Sequence, residues 1–173
     1  MRRRLRGLLN MGRIVNVIVA GLGGQGAIKA SDILADAACR AGHDVKKAEI
    51  HGMSQRGGSV TSDVRYGEKV FSPMVPQGEA DFLVVLAADQ VEMNRPMLRD
   101  GGVLIGPDFV DETTLPNRRS LNVALLGALS HHLDIPEALW LEAVRAALPD
   151  RLHEVNRKAF RIGREKAAAP RSG

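Results

Sequence analysis

Cysteine is nearly absent from this chain of 173 residues, with Cys39 standing alone. One thiol can neither close a disulfide within the chain nor build an all-cysteine iron–sulfur or zinc site. A reducing compartment, and so a cytoplasmic location, is the expected setting. Aromatic side chains are also scarce, limited to Tyr66, Phe71, Phe82, Phe109, Trp140 and Phe160. That set makes a poor stacking platform for single-stranded nucleic acid, which is therefore not an expected partner. No apolar run approaches the roughly 20 residues of a membrane-spanning helix, so no membrane partner is expected either. Catalytic signatures are missing as well. There is no G-x-S-x-G elbow, no C-x-x-C, no H-E-x-x-H and no P-loop lysine. His131 and His132 are sequence neighbours and do not share a helix face, which argues against a metal pair.

What is present begins at residue 14. Ile14 to Ala20 is rich in β-branched types and runs into Gly21-Leu22-Gly23-Gly24-Gln25-Gly26, after which a helical pattern opens. Strand, tight turn and helix in that order are the context a G-x-G-x-x-G fingerprint requires. Gly21 would permit the turn, Gly23 a close approach to the backbone, and Gly26 close packing of helix on strand. The helix N-terminus near Gln25 would then offer unpaired N–H groups and positive dipole charge to an anion or a polar partner. Residues 25 to 41 read as an amphipathic helix closed by Gly42, and Val45 to Ile50 as a second strand. A dinucleotide site needs an acid at the end of that strand, and Glu49 is the one candidate.

The stretch after it is less usual: His51-Gly52-Met53-Ser54-Gln55-Arg56-Gly57-Gly58-Ser59. Three glycines, a guanidinium, an imidazole and several hydroxyl or amide groups make a loop that can bend sharply. Arg56 in it could meet a carboxylate or phosphate in bidentate fashion. Residues 59 to 66 then alternate; Gly67-Glu68 reads as a turn with residues 69 to 72 returning, an antiparallel hairpin. Pro73 and Pro76 end it. Phe82 to Leu86 is a buried parallel strand, a helix is expected over 90 to 99 with Asp89 as its cap, and Val103 to Ile105 is another strand. The remainder is helical, over 122 to 133, over 136 to 148 with Pro136 at its first turn, and over 150 to 166. The pattern predicts an α/β fold: a single Rossmann-like domain, a mostly parallel sheet with an antiparallel hairpin, helices on both faces and a helical C-terminal part.

The net charge of +4 is unevenly spread. Residues 1 to 13 carry five arginines and no acid, residues 151 to 173 carry +5, and residues 14 to 150 carry −6. Solvated ends or a docking surface for an acidic partner are the ordinary uses of such basic tails. Residues 1 to 13 are expected to be a disordered basic extension, with Met11 an alternative start to Met1. Residues 14 to 166 form the domain, and 167 to 173 a disordered tail.

The chain thus has the turns of a catalytic domain without an evident catalytic group, which suggests a subunit that shapes a site completed by another chain. The glycine hexad, the His51 to Val60 segment, Phe71-Ser72-Pro73 and Gly78-Glu79-Ala80-Asp81 together resemble the gamma subunit or domain of the 2-oxoacid:ferredoxin oxidoreductases, in particular the indolepyruvate (beta-subunit) branch. The similarity extends to Asn122, Leu126-Gly127-Ala128, Asn156, Ala159-Phe160 and Gly163. The resemblance implies a subunit of a thiamine-diphosphate enzyme that oxidatively decarboxylates 2-oxo acids and passes electrons to ferredoxin. Thiamine diphosphate, Mg and iron–sulfur clusters would belong to a larger alpha subunit, with none held by this chain alone; coenzyme A is a further expected ligand. Gly21, Gly23, Gly24, Gln25 and Gly26, with Gly52, Ser54, Gln55, Arg56, Gly57, Gly58 and Ser59, would face partner, substrate or coenzyme; His51 and Arg56 are the candidate catalytic groups. Such a subunit should leave apolar surface exposed near the glycine turn or hairpin. The competing reading is a stand-alone Rossmann-like sensor of a dinucleotide or phosphate ligand.

Overall fold

A computed structural model describes residues 12–52 and 58–171. Its centre is β1, Val15–Leu22, whose apolar side chains are buried on both faces of a five-stranded sheet. The chain continues through α1 (Ala27–Arg40), β2 (Asp44–His51), β3 (Ser59–Gly67) and β4 (Ala80–Val85). A four-residue helix α2 (Val91–Asn94), β5 (Leu98–Ile105), and helices α3 (Leu121–His132), α4 (Glu137–Ala147) and α5 (His153–Ala168) complete it. Strand order is β2-β3-β1-β4-β5. Strands β1, β4 and β5 pair in parallel, whereas β3 pairs antiparallel with both β1 and β2. Four strands therefore share one direction and β3 alone opposes them, as a mostly parallel sheet requires.

The antiparallel hairpin is real, but its arms differ from the expected pair. β3 returns from β2, with His51 opposite Val60, and no strand forms over 69 to 72. The strand carries on into the sheet instead, placing Val17 opposite Val64 on β1. Strand β5 also starts earlier than Val103, because Leu98 pairs with Ala80 and the Gly101-Gly102 step is absorbed as a register shift. The helix expected over 90 to 99 shrinks to α2 between two 3₁₀ turns, and Asp89 makes no capping hydrogen bond. Helix α5 runs on to Ala168.

Alternation sorts the sheet residues into two cores. Val17, Val19, Val64, Val84 and Ile105 face α1, α3, α4 and α5 in the larger one. Ile18, Ala20, Leu83 and Val85 face Val75 and the α2 segment in the smaller. Helix α1 fits the first because its buried stripe is mainly alanine, with Ile33 and Leu34 supplying bulk. It ends on a Schellman turn: Gly42 at φ +91° donates to Cys39 O, and His43 N donates to Ala38 O. Helix α3 is buried from Asn122 to Ser130 on all sides, held between the sheet and α5.

The smaller core contains a carboxylate. Asp63 is 3 % exposed and accepts from Val75 N at 2.9 Å, which pins the segment after β3 onto the sheet. Burial raises its pKa, only partly offset by that hydrogen bond and by the Arg65 charge. A raised carboxyl pKa means the folded chain binds more protons than the unfolded one between about pH 3.9, the unfolded value, and the raised value in the folded chain. Stability from this group is therefore present below that pH and declines as pH rises towards the raised value. Replacement by asparagine, which keeps an acceptor for Val75, should flatten the dependence; thermal midpoints of Asp63→Asn and the parent between about pH 4 and 7 provide the check.

Candidate functional site

The site grows from the carboxyl end of β1, where parallel α/β sheets bind ligands. A Cβ on Gly21 would lie 3.1 Å from Gln25 Oε1 and 3.2 Å from Leu86 Cβ, so the strand leaves the sheet through a gap a side chain would crowd. Gln25 then closes the turn on itself: its N donates to Leu22 O at 3.1 Å, and its Oε1 accepts from Leu22 N at 2.7 Å. Gly24 and Gly26 both take φ +86°, in the left-handed region that other residues rarely adopt. The exposed face of this turn is Gly23, Gly24 and Gln25.

The third glycine has a partner that sequence spacing does not reveal. Asn122, near the start of α3, donates from Nδ2 to Gly26 O at 3.2 Å. A Cβ on Gly26 would come within 2.5 Å of that nitrogen. The turn is thereby clamped between the sheet and the start of a buried helix. A polar residue in the otherwise apolar stretch from Leu121 to Leu129 was the available signal, but it does not name its partner.

Gly23 N donates to Gly58 O at 2.9 Å, which ties the glycine turn to the β2–β3 connection. Gly52 N donates to Ser59 O at 2.7 Å and closes the base of that connection. Leu22 lies opposite Ser59 and Gly21 opposite Val60 in the sheet. The structure therefore brings Gly21, Gly23, Gly24, Gln25, Gly26, Gly52, Gly58 and Ser59 into one continuous edge. Ser54, Gln55, Arg56 and Gly57 lie outside the described residues. His51 is at the same end, largely exposed, with its Nε2 3.8 Å from Glu49 Oε2.

Two properties of this edge are chemical. The N–H groups of Ala27, Ile28 and Lys29 have no intrahelical partner, and the first turn of α1 carries no acid. They leave partial positive charge at a turn already bounded by backbone donors, which suits an anion. Glu49, by contrast, is committed elsewhere. Lys47 Nζ bonds Asp32 Oδ1 at 2.6 Å and also Glu49, and the lysine hydrogen bond holds the Glu49 carboxyl below its usual range. β3 also separates β2 from β1, so Glu49 is two strand spacings from the glycine strand, about 10 Å, not one. A ribose-binding acid on the strand beside the glycines is not what this topology supplies.

Residues 16–116, more than half of the chain, match the family model described as pyruvate ferredoxin/flavodoxin oxidoreductase. The chain belongs to that family. The indolepyruvate oxidoreductase subunit IorB of Thermococcus kodakarensis is 33 % identical over 86 % of this chain and 93 % of that protein. The subunit of the same name from Methanothermobacter thermautotrophicus is 36 % identical over 88 % and 97 %. The solved gamma subunit of a keto/oxoacid ferredoxin oxidoreductase from Geobacter sulfurreducens superposes with a TM-score of 0.77 at 25 % identity, over 90 % of this chain and 99 % of that one. A 2-oxoglutarate:ferredoxin oxidoreductase from Magnetococcus marinus, solved with 2-oxoglutarate, coenzyme A and succinyl-CoA, shares the fold at TM-score 0.78 and 22 % identity. This chain matches 32 % of its length. The family members of similar size are subunits of oxidoreductase complexes, and the motif-based resemblance to 2-oxoacid:ferredoxin oxidoreductase small subunits is borne out.

The donor set can be tested against the cofactors of such an enzyme. The single thiol, Cys39, is exposed at the far end of α1, and no group of three or more His, Cys, Asp and Glu converges among the described residues. One cysteine cannot supply the four thiolates of a cluster. The turn at Gly23–Ala27 does fit a phosphate or carboxylate.

Proposed function

We propose that this chain is the small subunit of an indolepyruvate or other aryl-pyruvate:ferredoxin oxidoreductase, acting only with a larger subunit that holds thiamine diphosphate, Mg and the iron–sulfur clusters. One observation carries the branch assignment. Relatives named for indolepyruvate reach 33–36 % identity over 86–88 % of the chain, whereas those named for pyruvate/ketoisovalerate and 2-oxoglutarate that align over 88–90 % of it stand at 29–30 %; a ketoisovalerate subunit reaches 34 %, but over only 69 % of the chain. In this reading the edge formed by Gly21–Gly26, Gly52, Gly58 and Ser59 faces the partner and the substrate or coenzyme A channel. Its unpaired N–H groups support an anion there, and the Gly23–Gly58 bond holds both of its segments in one register. Exposed apolar surface supports a protein partner: Ile50 on the β2 arm of the hairpin is 45 % exposed, and Phe71, just beyond β3, is 86 % exposed.

Arg56 is the side chain assigned to the anionic group, either a substrate carboxylate or a phosphate of the coenzyme. Arg56→Lys keeps the charge and loses the fork. In the assembled complex the variant should raise KM for the anionic ligand about tenfold, an effect of one charged hydrogen bond, with kcat and co-purification preserved. An unchanged KM for both 2-oxo acid and coenzyme A would remove Arg56 from the site. The sensor reading predicts tight NAD binding by the isolated chain; the intervening β3 and the Lys47-bound Glu49 weigh against it.

A further inference from the structure

At the opposite pole of the sheet, where β1 and β4 begin, the molecule has a cavity of about 600 Å³. That is within the range of small-molecule sites, roughly 300–1,000 Å³. Val15 borders it and Leu22 forms the glycine turn, so the two ends of β1 are about 23 Å apart at roughly 3.3 Å per residue. The cavity therefore belongs to a different surface from the site above.

Four rings line it in two pairs. His43 stacks obliquely on Tyr66 with centroids 5.0 Å apart, and Phe82 on His132 at 5.8 Å. Polar chemistry comes from three further residues on the ends of the strands. Asp81, 6 % exposed, accepts from Arg13 Nη2 at 2.9 Å and Arg99 Nε at 2.7 Å on one oxygen, and from Asn16 N at 2.8 Å on the other. Two guanidinium groups thus share one carboxylate, leaving this triad positive with unused N–H donors at the cavity wall, although Glu68 and Asp134 bring the acids that line the cavity to three against two arginines. Tyr66 is 3 % exposed, and it lines the same wall. Burial, reinforced by the charges of Asp81 and Asp134, raises the phenol pKa and keeps its hydroxyl a donor. Glu68 and Asp134 also border the space and are exposed, a like-charge barrier to any polyanion.

We propose that this cavity is a second binding site, for a planar aromatic monocarboxylate whose ring packs on His43, Tyr66, Phe82 and His132 and whose carboxylate meets Arg13, Arg99 and the Tyr66 hydroxyl. Rings provide apolar area with defined stacking geometry, and the arginines provide planar donors matched to a carboxylate. The acidic border repels nucleotides and other multiply charged phosphates more strongly than a single carboxylate, because the repulsion grows with ligand charge. The site is independent of the proposed function, since it lies away from the glycine turn and requires no partner subunit.

The test is a titration of the full chain with indole-3-acetate, followed by calorimetry and by amide chemical shifts. Saturable one-to-one binding is expected, with shifts at Val15, Gly67, Phe82 and Leu133. Tyr66→Phe should weaken affinity about fivefold, the value of one neutral hydrogen bond. Arg99→Gln should weaken it about tenfold or more, as a charged one is lost. Gln25→Ala, on the other pole, should leave it unchanged, and inorganic phosphate should not compete. Lack of saturation, shifts confined to residues 21–26, or wild-type affinity in well-folded Tyr66→Phe and Arg99→Gln would each overturn the proposal.

Discussion

Replacing Gly163 by alanine is expected to unfold the chain, or to cost more than about 3 kcal/mol, the upper end of ordinary overpacking. A Cβ there would sit 1.7 Å from Ala124 O and 2.7 Å from its carbonyl carbon. The reciprocal position behaves alike, since a Cβ on Gly127 would fall 1.9 Å from Phe160 O. Both obstacles are backbone of the facing helix, so no rotamer change relieves them; α3 and α5 must move apart. Separation would open the contact around Ala128, Ala159 and Phe160, all fully buried. Alanine at an ordinary helical glycine would instead stabilise by about 0.5–1 kcal/mol. The sign of the change therefore decides the matter. Urea unfolding of Gly163→Ala and Gly127→Ala measures it, and stabilisation in either would show that the helices do not approach this closely.

Gly26→Ala is expected to have the largest effect at the site itself. Two costs coincide there. The left-handed backbone at φ +86° costs a side-chain-bearing residue about 1–2 kcal/mol. The new Cβ also meets Asn122 Nδ2 at 2.5 Å and displaces the amide that donates to Gly26 O. The two costs separate in a double-mutant cycle. In an Asn122→Ala background the clash is gone and only the backbone strain remains, so Gly26→Ala should cost less there, by roughly 1 kcal/mol or more. Turnover by the assembled complex should fall about a hundredfold in both backgrounds, because a turn displaced by an ångström loses its alignment with the reacting groups. Equal stability losses with and without Asn122 would show that the clamp is not formed.

The residues differ in how openly they declared these roles. The β1–turn–α1 unit was readable because every local signal agreed: a β-branched run, glycines at fixed offsets, and a small-residue stripe at helical spacing. The segment from His51 to Ser59 was legible as an unusual glycine-rich polar connection, though not as the link within a hairpin of β2 and β3. Alternation marked 59 to 66 as a strand but carries no information about its neighbours. Gly67-Glu68 resembled a turn, which suggested a local return where the pairing in fact runs to β1. Gly101-Gly102 hid the first half of β5 in the same manner, since a shift in register looks like a break. Gly127 and Gly163 were opaque for a stronger reason. Helix propensity counts against both, and what requires them is the backbone of another helix. Asn122 likewise became part of the site only through its contact with Gly26.

The assay that bears most directly on the account is oxidation of indolepyruvate with ferredoxin as acceptor, using this chain alone, its larger partner alone, and the two combined. The account predicts that this chain alone shows no turnover and that full activity develops as the partner is titrated to a fixed ratio. Turnover by the isolated chain, or full activity of the partner without it, would contradict the claim that this subunit completes a site built by another.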